Sequence, residues 1–163
     1  MLAFSKHAEV PDTYSEMLLS EFHFAHSSLL KATAELDTLT RGPLSSQDCV
    51  VNARWAISRA SLTRRTLWNR ALPHLLSSAS KIEASDLRRL QESDQVLLRI
   101  SSQHVCRWNI EAVMADWPAY CAASQVICFK MKAAIGAEQS VIYPLLGSPF
   151  RLGCAATLVR PGG

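Results

Sequence analysis

Apolar residues recur along most of this chain at the spacing of one face of an α-helix, and strand-like alternation is absent. A first stripe, Leu19, Phe22, His26, Leu29 or Leu30, Thr33 and Leu36, predicts a helix over 13–38. Pro11-Asp12 marks its entry and Arg41-Gly42-Pro43 its end. Ala56, Ala60, Thr63, Leu67 and Ala71 predict a second helix over 46–72. Ser45-Ser-Gln-Asp48 offers a start resembling a capping box, and Pro73 a stop, since proline within a helix costs about 3 kcal/mol.

Ser77-Ser-Ala-Ser80 reads as a loop, with Ser80-Lys-Ile-Glu83 or Ser85-Asp86 capping a third helix over 84–116. Its inward line is Leu90, Leu97, Ile100, His104 and Trp108. Pro118 suits the first turn of a fourth helix over 118–143, where a missing N–H costs nothing. Ile127, Met131, Ala134, Glu138, Val141 and Ile142 share one face of it. Gly136, about 1 kcal/mol worse than Ala in a helix interior, is expected to mark a close approach between helices. Four amphipathic helices with short connections predict an all-α, up-down-up-down four-helix bundle over 1–146. Residues 147–163 form a fairly apolar tail expected to pack on the bundle or on a partner, with a disordered Pro-Gly-Gly end.

Two segments of this pattern repeat. Leu19-Ser-Glu-Phe-His-Phe-Ala-His26-Ser-Ser-Leu-Leu30 is echoed by Leu97-Leu-Arg-Ile-Ser-Ser-Gln-His104-Val-Cys-Arg-Trp108. Each leads into a second helix ending on Pro-x-Leu, at Pro73-His-Leu75 and Pro144-Leu-Leu146. This phasing resembles the hemerythrin-like (HHE cation-binding) family, which holds two irons inside a four-helix bundle. In that family each half supplies a His from its first helix and a His-x-x-x-Glu pair from its second. The first-helix histidines fall on His26 and His104. Counting back from Pro144, Glu138 fills the glutamate slot and Ala134 the histidine slot; from Pro73 the two slots hold Leu67 and Thr63. The resemblance therefore implies iron as cofactor but leaves only His26, His104 and Glu138 as metal ligands, a two-His, one-carboxylate set. A DinB-like bundle would explain the inward histidines, though not the paired Pro-x-Leu endings.

Glu138 is the most demanding of these residues, because a carboxylate among Met131, Ala134, Val141 and Ile142 is costly to bury without a partner. Pairing with His26 or His104 would satisfy it as well as a metal would. His23, His74 and His7 are weaker candidates. Arg54, Arg59, Arg64, Arg65 and Arg70 are expected on the outer, solvated side of the second helix. Aromatic residues do not interleave with them in a binding pattern, and a net charge of +3 is small, so a nucleic-acid partner is not expected.

At 163 residues, 48% hydrophobic and 19% charged, the chain can bury a core as one domain. Its 5 cysteines are odd in number and form no Cys-x-x-Cys pair, which reads as buried free thiols in a reducing compartment. No signal peptide and no apolar run of membrane-spanning length is seen, so a cytoplasmic location is expected. Nucleophile motifs, phosphate loops and zinc-ligand spacings are also missing. The expected function is that of a non-enzymatic regulatory or interaction protein whose partner is another protein or a second copy of the chain. The alternative is an iron or small-ligand sensor using His26, His104 and Glu138.

Overall fold

The computed structural model of the protein describes residues 13–147. They form five helices, α1 (Thr13–Arg41), α2 (Gln47–Ser78), α3 (Lys81–Arg107), α4 (Ile110–Ala115) and α5 (Trp117–Gly147), and no strand occurs among the described residues. His7, Cys154 and residues 148–163 of the expected apolar tail lie outside them.

The helix starts follow from local chemistry. Ser46 caps α2 by accepting from the Cys49 N–H. At α3 the Ser80 hydroxyl accepts from the Glu83 N–H while the Glu83 carboxylate accepts from the Ser80 N–H, a complete capping box. The expected third helix is interrupted where Trp108 leaves helical geometry, and Asn109 caps α4 by accepting from the Ala112 N–H at 2.8 Å. Asp116 accepts from the Ala119 N–H at 3.1 Å at the start of α5, with Pro118 in the first turn as expected.

Neither proline ends its helix. α2 runs through Pro73 to Ser78, and α5 through Pro144 to Gly147. Both prolines are on the solvent side, and so are Asn69 and Ser140, whose carbonyls lose a helix donor and can be hydrated instead. The turns beyond them bury Leu75, Leu145 and Leu146 in one cluster with Leu18, Phe22, Leu87 and Ile142. At roughly 1.5–3 kcal/mol per buried leucine, Leu145 and Leu146 together offset the proline penalty of about 3 kcal/mol, and Leu75 with half-buried Leu76 comes close to doing so. The Pro-x-Leu endings thus close one end of the fold.

A middle cluster joins Leu29, Leu36, Ile57, Ile127, Met131 and Ile135, and a far-end cluster joins Val50, Trp108, Val113 and Tyr120. α1 packs chiefly on α2 and α5, and α3 chiefly on α5; α2 and α3 approach each other much less. α3 consequently buries only Leu87 and Asp94 along its length. Leu90, Leu97, Ile100 and His104, expected to face fully inward, are half-buried.

Gly136 differs from expectation: it is exposed, and a Cβ built on it meets nothing within 4 Å. It supports no close helix approach. Gly136→Ala should therefore raise stability by about 0.5–1 kcal/mol through helix propensity alone. A higher urea midpoint with an unchanged slope is the expected readout.

Candidate functional site: a buried chain of ion pairs

Between the closed-end cluster and the middle cluster, four helices each contribute polar groups to one level of the interior. His26 of α1 is fully buried, and Glu138 of α5 is only 3% exposed. The two meet through His26 Nε2 and Glu138 Oε2 at 2.9 Å. A carboxylate only accepts, so Nε2 carries the hydrogen. On the other side of the ring, His26 Nδ1 lies 2.8 Å from the Tyr143 hydroxyl. Burial pushes the Tyr143 pKa up, against the lowering effect of a hydrogen bond from Gln139 and with the Glu138 charge raising it further. The Tyr143 hydroxyl thus holds the second ring nitrogen, and both nitrogens of His26 are engaged.

The second Glu138 oxygen, Oε1, accepts from the Arg64 guanidinium of α2. Arg64 also donates to Asp94 of α3 through its other terminal nitrogen. Arg64 is 4% exposed and Asp94 9%. The order Tyr143–His26–Glu138–Arg64–Asp94 links α5, α1, α2 and α3. One cation thus stands between two carboxylates in a region that water barely reaches. The planar guanidinium suits this position because its donors diverge in a fixed fork.

Of the three residues expected to bind metal, the structure brings together His26 and Glu138 but not His104. His104 is half-buried, 3.3 Å from the Ser124 hydroxyl through Nε2, with its ring against Tyr120 at a centroid distance of 5.8 Å. Among the described residues, no three His, Cys, Asp or Glu side chains are grouped so that they could hold a metal ion. An iron does not fit the donors at the His26 level. Both nitrogens of His26 and both oxygens of Glu138 are engaged, and Arg64 supplies the cation next to Glu138.

The expected lining differs at one position on α2. Thr63 is exposed and bonds back to the Arg59 carbonyl at 3.1 Å, whereas Arg64 points inward. Leu67 is buried in the closed-end cluster, and Ala134 is half-buried. The uniform outer arginine face is corrected accordingly. Arg59 and Arg70 are exposed, Arg64 is buried, and Arg54 and Arg65 are half-buried. Arg64, Asp94 and Tyr143 were missed from sequence, yet two of them carried a signal. Val50, Ile57, Arg64 and Ala71 are spaced by sevens, as are Leu87, Asp94 and Ser101. Opposite charges at heptad core positions of two helices are a readable sign of a buried pair.

The remaining candidates are structural. His23 is exposed with its ring 4.2 Å from that of Tyr143, and His74 meets the Ser15 hydroxyl at 3.0 Å. Cys121 and Cys128 are buried, and burial raises both thiol pKa values, which keeps them protonated and inert. Cys49 and Cys106 are exposed rather than buried. No helix among the described residues is long and apolar enough to cross a membrane. Comparison with protein-family models, curated proteins and solved structures gives no match.

Two outcomes follow from this geometry. Arg64→Ala should destabilise the fold by about 3–5 kcal/mol, because Glu138 and Asp94 lose their shared partner. Replacing Arg64, Glu138 and Asp94 together by Met, Leu and Leu should recover much of that loss in a urea titration.

His104 gives a pH signature. Burial lowers its pKa below 6.5, and the Arg54 charge lowers it further. Between the lowered folded value and the unfolded value near 6.5, the unfolded chain binds more protons, so stability falls as pH drops through that window. The slope of unfolding midpoint against pH just below 6.5 should be shallower in His104→Gln than in the parent.

Proposed function

We propose that the protein is a hemerythrin-like, up-down-up-down four-helix bundle whose metal site has given way to a guanidinium-centred ion-pair network. It serves as a non-enzymatic regulatory or interaction module. The observation that carries this reading is Arg64 between Glu138 and Asp94, at the level where His26 meets Glu138. A cation fixed to the chain neutralises carboxylates that would otherwise need a metal, and it leaves no open coordination position for chemistry.

The reading places the protein in the cytoplasm, acting on another protein or on a second copy of itself. Two exposed free thiols, Cys49 and Cys106, suit a reducing compartment. A second reading, a sensor of a small ligand, is favoured by one further feature. The loose approach of α3 to α2 leaves a cavity of about 380 Å³ beside the ion-pair chain.

The metal-free reading is tested by elemental analysis of protein purified without a His tag, followed by thermal unfolding with and without iron(II) under anaerobic conditions. Substoichiometric iron and an unchanged melting temperature are expected. A stoichiometric metal content, or a melting temperature that climbs with iron(II) as ligand linkage requires, would overturn it. Glu138→Ala should lose stability to the same extent in the presence and absence of iron(II).

A further inference from the structure

The cavity runs along the seam between α2 and α3, with α1 and α5 behind it. Its walls are largely apolar, formed by Leu29, Ile57, Leu97, Ile127 and Met131. Its size lies within the range of small-molecule sites, which typically combine apolar walls with a few convergent polar groups. Here those groups are Arg54, Arg65, Ser101 and His104, all of which line it.

Two of these polar groups have unused donors. Arg65 Nε and the Ser101 hydroxyl are buried and have no hydrogen-bond partner. Neither Arg54 nor Arg65 forms an ion pair among the described residues, in contrast to Arg64. Arg54 instead stands over the Tyr120 ring, 5.9 Å from its centroid. Buried polar groups are ordinarily paired, so orphaned donors on one cavity, Arg65 Nε and the Ser101 hydroxyl together with Arg64 Nε and the Tyr120 hydroxyl, call for an acceptor. Asp94 is the one carboxylate on the wall, and Arg64 already engages it. The wall thus carries three guanidiniums against one carboxylate, with Glu138 just behind Arg64. His104, its pKa lowered by burial and by the Arg54 charge, adds no charge to this balance.

We propose that this cavity binds an amphipathic monocarboxylate, with its hydrocarbon body among Leu29, Ile57, Leu97, Ile127 and Met131 and its carboxylate on Arg65 and Ser101. Arg54 adds positive charge at the end near Tyr120. A carboxylate offers acceptors matched to a guanidinium and a hydroxyl, and an apolar body replaces water along walls that cannot hydrogen-bond. Through Arg64 and Asp94, which line the same space, an occupant touches the network that ties α2 to α3. The proposal rests on the small-ligand reading and is independent of whether the chain binds iron.

The experiment titrates the full chain with decanoate and with 1-decanol, both below their aggregation limits, by calorimetry and by thermal shift. Decanoate should bind saturably at one site per chain and raise the melting temperature, and 1-decanol should bind at least about tenfold more weakly, the scale of one charge-assisted hydrogen bond. Arg65→Met should weaken decanoate by about tenfold or more while leaving 1-decanol unchanged. Ala134→Phe, which fills the cavity, should abolish both; Ser101→Leu serves the same end if that variant fails to fold. Equal affinity for the acid and the alcohol, or decanoate binding indifferent to Arg65→Met, would overturn the carboxylate assignment. Absence of saturable binding by either probe would overturn the small-ligand reading, while an iron-dependent melting temperature would bear only on the metal-free one.

Discussion

One guanidinium held between two buried carboxylates decides how these helices meet. Arg64 reaches Glu138 on α5 and Asp94 on α3, and Glu138 in turn holds His26 on α1. Each group would be expensive to bury alone, by several kcal/mol per ion. Apolar contacts in the clusters above and below can tolerate rearrangement, since leucines and isoleucines pack in more than one way. The ion pairs cannot. Sliding α2 by two turns would put Arg64 among Ile57's or Ala71's neighbours and leave two carboxylates unpaired. Register here is enforced by the penalty of the alternatives rather than by a large net gain from the pairs themselves.

The same arrangement explains why α3 stays in place with little apolar burial. Leu87 is its one fully buried apolar residue, near its start, and Asp94 is its other anchor. Beyond Asp94 the helix leans on α5 and leaves α2, which opens the cavity. A polar tether at mid-helix thus permits a gap that a continuous leucine stripe would have closed.

Much of this was legible in the sequence. The four long amphipathic segments, the Ser80–Glu83 capping box, the inward position of His26 and the buried Glu138 with a histidine partner were all readable from spacing and chemistry. The helix ends were not, because a local penalty at Pro73 and Pro144 is countered by the burial of Leu75, Leu145 and Leu146, which becomes visible only once the chain folds. Leu67 and Ala71 are buried as their spacing predicts, and α2 departs from expectation at one position for a related reason. Thr63 and Arg64 are neighbours about 100° apart on a helix, and an arginine turns inward only where buried carboxylates from other helices meet it. Separating His26 from His104 also required tertiary information, since the repeat gives both the same helical phase but not the same depth.

The linked charges also constrain how the sequence can drift. Arg64, Glu138 and Asp94 sit on three different helices, so no single neighbour can take over when one of them changes. A chain that loses any one of them first passes through a state with an unmatched charge in its interior, and that intermediate is the least fit on the route. Compensated pairs or triples are the passable steps, with mutational effects that depend strongly on background. Positions 64, 94 and 138 are therefore expected to vary as a unit across descendants of this chain, whereas the leucines around them can wander one at a time.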